Sequence, residues 1–187
     1  TGIKASIVGS KFMHLNIQTN INYRFTKKIQ TKLRIWIGGF IVDNDIPKQY
    51  RTYLSGNIDP DFRNNYLFNR TPDVNDASIG TRQYEIGGPS IRGLILEDDK
   101  MKGVKDWVIS ANFDIKVPKV PGEPFIDLAV EGGDSYIDFG IRKSFGPLEI
   151  ILPLYQSWDE NGFVTDTDWL LKRMRISLRL SDFNIQN

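Results

Sequence analysis

The side chains that could do chemistry are few, and they are mostly guanidinium groups, carboxylates and carboxamides. His14 is the only histidine and cysteine is absent, so the chain offers no thiolate metal site, no histidine-rich metal site and no histidine-based triad of its own. Neither H-E-x-x-H nor G-x-S-x-G occurs. The acidic turn WDENGFVTDTDW, 158–169, presents Asp159, Glu160, Asp166 and Asp168 as candidate calcium ligands, but without EF-hand spacing it reads as a solvated loop. Asn69-Arg70-Thr71 fits a glycosylation acceptor only formally. No metal, no cofactor and no catalytic residue is expected, and the segment does not read as an enzyme. The segment IGGPSIRGLIL, 86–96, carries the most information. Gly87, Gly88 and Pro89 read as a tight turn that presents Ile91, Arg92 and Gly93 as a projecting tip, with Gly93 expected at positive φ; the bland reading is a surface turn ending in an exposed arginine.

Strands must position these groups. In HLNIQTNINYRF, 14–25, the polar residues His14, Asn16, Gln18, Asn20, Asn22 and Arg24 alternate with an apolar set broken only by Thr19. WVISANFDIKV, 107–117, alternates as cleanly, with Ser110, Asn112, Asp114 and Lys116 on its polar face. YIDFGIRKSF (136–145) and the C-terminal run in which Arg173, Arg175, Ser177 and Arg179 alternate with apolar residues follow the same period. With the weaker segments 31–42, 124–131 and 148–155, seven strands are expected. FTKK (25–28), VPGE (120–123), EGGD (131–134) and SFGP (144–147) suit short hairpin turns, so these strands should be antiparallel neighbours. The segment 43–106 differs: about sixty residues rich in Asn, Asp, Pro, Arg and Gly. A loop of that length is foreign to a compact soluble domain and ordinary for an outer-membrane barrel, which has long extracellular loops and short periplasmic turns.

Composition narrows the classes. The 187 residues, 40% hydrophobic and 12% aromatic, suffice for one ordered unit. The net charge of +1, from 24 basic and 23 acidic residues, supplies no global field for nucleic acid, and no nucleic-acid partner is expected. No run is long and apolar enough for a spanning helix, whereas spanning strands escape hydropathy averaging, so a mean hydropathy of −0.33 suits a membrane barrel. The start TGIKASIVGS has no initiator Met or leader pattern and reads as a mature chain or a fragment. The carboxamides of 14–24 and the arginines 173, 175 and 179 are the contents of a hydrated lumen. Trp36, Phe40, Trp107, Tyr136, Phe145, Tyr155, Trp158 and Trp169, near strand ends, suit headgroup belts.

The tip segment resembles the Val-Arg-Gly-Phe/Tyr motif of the BamA/TamA-type outer-membrane barrels, the surface-antigen family, which lies in a long extracellular loop folded back into the lumen. Ile91, Arg92, Gly93 and Leu94 match at Arg and Gly, conservatively at Ile91, while Leu94 departs from the aromatic. FIDLA, 125–129, is similar to that family's Phe-x-Asp-x-Gly strand at Phe125 and Asp127, with Ala129 for the Gly. YIDFGIRKSFGPLEIILPL, 136–154, resembles its closing Gly-x-Gly-Leu-Arg, Gly-Pro-Leu and Pro-Leu pattern. The resemblance covers the last hundred or so residues well and the earlier ones mainly through strand character and loop length.

The resemblance implies an all-β antiparallel transmembrane barrel, of which residues 1–187 form a single C-terminal segment and 43–106 the long extracellular loop folding back into the lumen. It implies an Arg92–Asp127 pair pinning that loop, because either charge alone in a partly dehydrated lumen is costly. Such barrels have about sixteen strands and even the smallest bacterial ones about eight, so the missing strands are expected from the same protein or another chain. The implied setting is the bacterial outer membrane, with lipid, lipopolysaccharide and envelope-assembly factors as partners. The implied role is insertion of outer-membrane proteins or export of a passenger; a barrel anchoring an upstream patatin- or peptidase-type domain is the alternative. A different class, a soluble β-sandwich binding module, would bury the apolar faces of 13–25 and 107–117 against each other and bind carbohydrate through Tyr50, Tyr53, Phe62, Tyr66 and Phe68.

Overall fold

A computed structural model of the chain describes residues 2–8, 12–44, 46, 52–54, 56–57, 66–71, 82–83, 88–94, 106–158, 162–164 and 166–179. Its strands are β1 (Gly2–Val8), β2 (Phe12–Arg24), β3 (Gln30–Asp43), β4 (Thr52–Tyr53), β5 (Gly56–Asn57), β6 (Tyr66–Thr71), β7 (Arg82–Gln83), β8 (Val108–Lys116), β9 (Glu123–Glu131), β10 (Asp134–Phe145), β11 (Leu148–Gln156) and β12 (Arg175–Arg179). One short helix, α1 (Thr167–Arg173), precedes β12. The fold is all-β: a ten-stranded sheet in the order β1-β2-β3-β8-β9-β10-β11-β12-β6-β7, with β4 and β5 as a separate pair. Every pairing is antiparallel, and the sheet is open. No helix among the described residues is long and apolar enough to cross a membrane.

The expected strands all form, and the segment expected as a long loop holds β4 to β7 besides its tip, so it is not structureless. β8 nonetheless pairs with β3 across this whole segment, because the hydrogen-bonding edge of β3 is left open by any connection that arches over it. Local turn chemistry sets the short connections. Thr26 Oγ1 accepts from the backbone N–H of Lys28 (3.2 Å) and Ile29 (3.0 Å) in the β2–β3 hairpin. Gly132 (φ 54°) and Gly133 (φ 101°) make the two-residue turn between β9 and β10, a conformation that side chains resist.

Burial is inverted relative to a soluble sheet. On β9, Phe125, Asp127 and Ala129 are buried, while Ile126, Leu128 and Val130 on the opposite face are exposed, Val130 by 53%. On β8, Val108, Ser110 and Asn112 are buried and Ile109 is 53% exposed. Ile17 and Ile21 of β2 and Ile137 of β10 extend the exposed apolar face. The sandwich alternative is therefore not built: β2 and β8 lie in one sheet on either side of β3, their apolar faces turned outward rather than against each other.

The two ends of the sheet also differ. The β2–β3, β8–β9 and β10–β11 connections lie at one end and are short; at the other end β3 stops and β8 starts, the two-residue β9–β10 turn lies there, and the helix-bearing connection leaves β11. At that second end the inner face carries an apolar cluster of Trp36, Val108, Ala129 and Tyr136, closed by Leu54, Ile91 and Leu94. Here the aromatic belt expectation is corrected. Trp36, Phe40, Tyr136 and Trp169 are buried, leaving Trp107 and Phe145 as exposed rings of that set.

Candidate functional site

Antiparallel register assembles a row of polar side chains across the inner face, exposed at its Asn20 end. Asn20 stands opposite Arg34, Arg34 opposite Asn112, Asn112 opposite Asp127, Asp127 opposite Asp138, and Asp138 opposite Gln156. One residue from each of the neighbouring strands β2, β3, β8, β9, β10 and β11 thus stands at one level. The segment 88–94 lies on this row and is held mainly through its backbone. Arg34 Nη2 donates to the Gly88 carbonyl at 2.5 Å, and Asn112 Nδ2 to the Ser90 carbonyl at 2.9 Å. Asp127 accepts the Arg92 N–H at 2.8 Å and Asp138 accepts the Gly93 N–H. Gln156 donates to the Gly93 carbonyl, and Arg175 Nη2 to those of Ile91 (3.0 Å) and Leu94 (2.7 Å).

Arg92 is the side-chain centre. Its Nε donates to Asp127 at 2.8 and 3.1 Å, its Nη2 to Asp127 at 2.5 Å and its Nη1 to Asp114 at 2.5 Å. The guanidinium also lies 4.0 Å over the Phe125 ring. Burial works against its charge, but Asp127 and then Asp114 outweigh that penalty and raise its pKa above the ordinary arginine value. Ile91 and Leu94 flank the arginine with 0% and 1% exposure, and burying such side chains stabilises by about 1.5–3 kcal/mol each. The tip is therefore docked by charge and by apolar burial together.

Arg92 and Asp127, expected to pair, are in contact, with Phe125 beneath the guanidinium, while Ile91, Gly93 and Leu94 find their partners at Leu54, Asp138 and Arg175. Two details are corrected. Positive φ falls on Gly88 (53°) and Ser90 (56°), not on Gly93. Gly93 is needed for close approach: a Cβ there would collide with Asp138 and come within 2.9 Å of Gln156 Nε2. Ile91 does not project to solvent but enters the inner cluster, where its N–H donates to the Leu54 carbonyl at 2.8 Å.

The other expected polar residues divide. His14 is buried, with Nε2 3.3 Å from Thr52 Oγ1, Nδ1 3.4 Å from Asn16 Nδ2 and its ring 4.7 Å from that of Phe40. Gln18 accepts from Arg34 at 2.9 Å, while Asn20, Asn22 and Arg24, toward the short-turn end, are exposed. Arg175 is buried rather than facing open water, and Arg179 is in β12 with its side chain outside the described residues. Arg173 is a correction: it ends α1 rather than lying on the last strand, stacks on Trp169 at 4.1 Å and donates to Gln156 at 2.9 Å. Helix rather than strand forms there because Asp166 caps it, accepting the Trp169 N–H at 2.7 Å. That cap also occupies one carboxylate of the candidate calcium set; Asp159 and Glu160 lie outside the described residues.

Asp138, Gln156, Asn112 and Arg34 were not singled out as site residues from sequence. A signal for Asp138 exists: YIDFG at 136–140 repeats the aromatic-Ile-Asp-x-small pattern of FIDLA at 125–129. The hairpin sets Phe125 opposite Gly140 and Tyr136 opposite Ala129, each ring over a small residue. A second ion network lies nearer the short-turn end, where Arg142 meets Glu123, Glu149 Oε2 (3.7 Å) and Asp114 (3.9 Å). No group of three or more metal-ligating side chains occurs among the described residues. No protein-family model, curated protein or solved structure matches the chain.

Proposed function

We propose that this chain is the C-terminal part of an outer-membrane β-barrel, similar in kind to the BamA/TamA surface-antigen barrels, that inserts outer-membrane proteins or exports a passenger. The inverted burial carries this reading. Lipid rewards an outer face of Ile, Leu, Val and Phe and an inner face whose polar groups are satisfied within the protein, while water rewards the opposite. The docked tip supports it further, since a plug of buried charges needs a lumen to occupy. In this reading Arg92 and Asp127 hold the tip across the lumen, and the residues bind and gate rather than catalyse. The open edges cannot face lipid, so further strands close the ring.

The test is fractionation of the full-length protein from a Gram-negative host, followed by electrophoresis of unheated and heated samples in mild detergent. Partition into the outer membrane with heat-modifiable migration is expected. A soluble monomer that needs no detergent would overturn the reading.

A further inference from the structure

We infer that the short-turn end of the sheet docks on anionic phospholipid headgroups, an assignment that rests on the membrane reading above. At this end the carboxylates share the inner face with Arg142, Lys32 and Lys116, while the described turns and outer face carry cations without carboxylates. Asp114, Glu123 and Glu149 all turn to the inner face and surround Arg142. Lys27 and Lys28 stand exposed in the β2–β3 hairpin and Lys119 in the β8–β9 turn, while Lys143 lies on the outer face of β10. None of these four lysines is in an ion pair among the described residues.

Aromatic rings lie just inside the hairpin lysines on β2 and beside Lys143 on β10. Tyr23 and Phe25 meet edge to face at 4.6 Å and are 58% and 63% exposed, and Phe145 is 54% exposed with the Lys143 ammonium 5.7 Å from its ring. Beyond them toward the sheet centre the outer face is aliphatic, through Ile21, Ile17, Ile126 and Ile137. Along β2 the outer face thus runs aliphatic, then aromatic, then cationic, the order of hydrocarbon, interface and anionic headgroup along a membrane normal. Short connections are those a barrel keeps on the periplasmic side, so the partner is the phospholipid leaflet rather than the lipopolysaccharide one.

Reconstitution of the full protein into phosphatidylcholine vesicles, with spin-labelled phosphatidylglycerol or phosphatidylcholine as probe, tests this. Boundary enrichment of phosphatidylglycerol by about fivefold is expected, the factor given by ~1 kcal/mol from one lysine near the surface. Lys27→Gln, Lys28→Gln, Lys119→Gln and Lys143→Gln combined should abolish the enrichment, as should high salt. Insertion with equal affinity for both probes overturns this assignment alone, as does enrichment that survives the combined substitution. Failure to insert at all overturns it together with the membrane reading.

Discussion

Asp127→Asn isolates the charge that holds the tip. The native carboxylate has no exposed surface and accepts from the Arg92 side chain, the Arg92 N–H and, at 3.0 Å, Asn112 Nδ2. An amide there removes the charge and turns a donor toward donors. Breaking a buried ion pair from one side costs about 3–5 kcal/mol, because the surviving charge stays desolvated. Asp114 remains 2.5 Å from Arg92 and is 14% exposed, which puts the expected cost near the lower end. The tip can relieve it by leaving the row and hydrating Arg92, so the cost appears as local opening. At about 1.4 kcal/mol per tenfold, ~3 kcal/mol enlarges the open population about a hundredfold. Hydrogen exchange reads this at the amides of Arg92 and Gly93, which donate to Asp127 and Asp138. Both should exchange about a hundredfold faster in Asp127→Asn, with the β9 and β10 ladder amides unchanged. Combining it with Arg92→Met should add less than the two single effects summed. Unchanged tip amides, or equal acceleration throughout the sheet, would refute the assignment of the tip's anchorage to this pair.

Gly93→Ala should release the tip although it alters no charge, since its Cβ has no room beside Asp138 and Gln156; protease cleavage within 88–94 should rise while sheet content by circular dichroism holds. Leu128→Arg, at a 43% exposed position on the outer face, should cost about 2–4 kcal/mol in bilayer refolding if that face meets lipid at mid-depth. The same change would be nearly neutral on a face that meets water, so an unaltered refolding midpoint would contradict the lipid assignment.

Part of the row was legible where register is local. The two-residue turn at Gly132 and Gly133 brings Asp127 opposite Asp138 by counting outward, whereas the β2–β3 turn occupies 25–29 rather than 25–28, and that extra residue sets Asn20 opposite Arg34 and not Leu33. The β8–β9 turn occupies 117–122 rather than 120–123, and such an offset moves partners, so the opposition of Asn112 and Asp127 needed the structure. The bulge at Phe139 and Gly140 likewise sets Asp138 opposite Gln156 one residue away from where the β10–β11 turn alone would place it. The meeting of Arg34 with Asn112 across the whole segment 44–107 had no local cue, because strand pairing over that separation is chosen by the sheet and not by the chain between.

By itself the sequence determined which side chains share a face, because the period of a strand is two whatever surrounds it. That Arg92 and Asp127 belong together was implied there only by the resemblance to the surface-antigen barrels. Only the tertiary structure decided which face is inside, since the same alternation serves a sheet wrapped around a dry core or around a polar interior. It also decided that Arg173 is the last residue of a helix while Arg175, two residues on, reaches the carbonyls of Ile91 and Leu94. Both outcomes turn on where distant polar groups find partners, and burial demands those partners without the local sequence naming them.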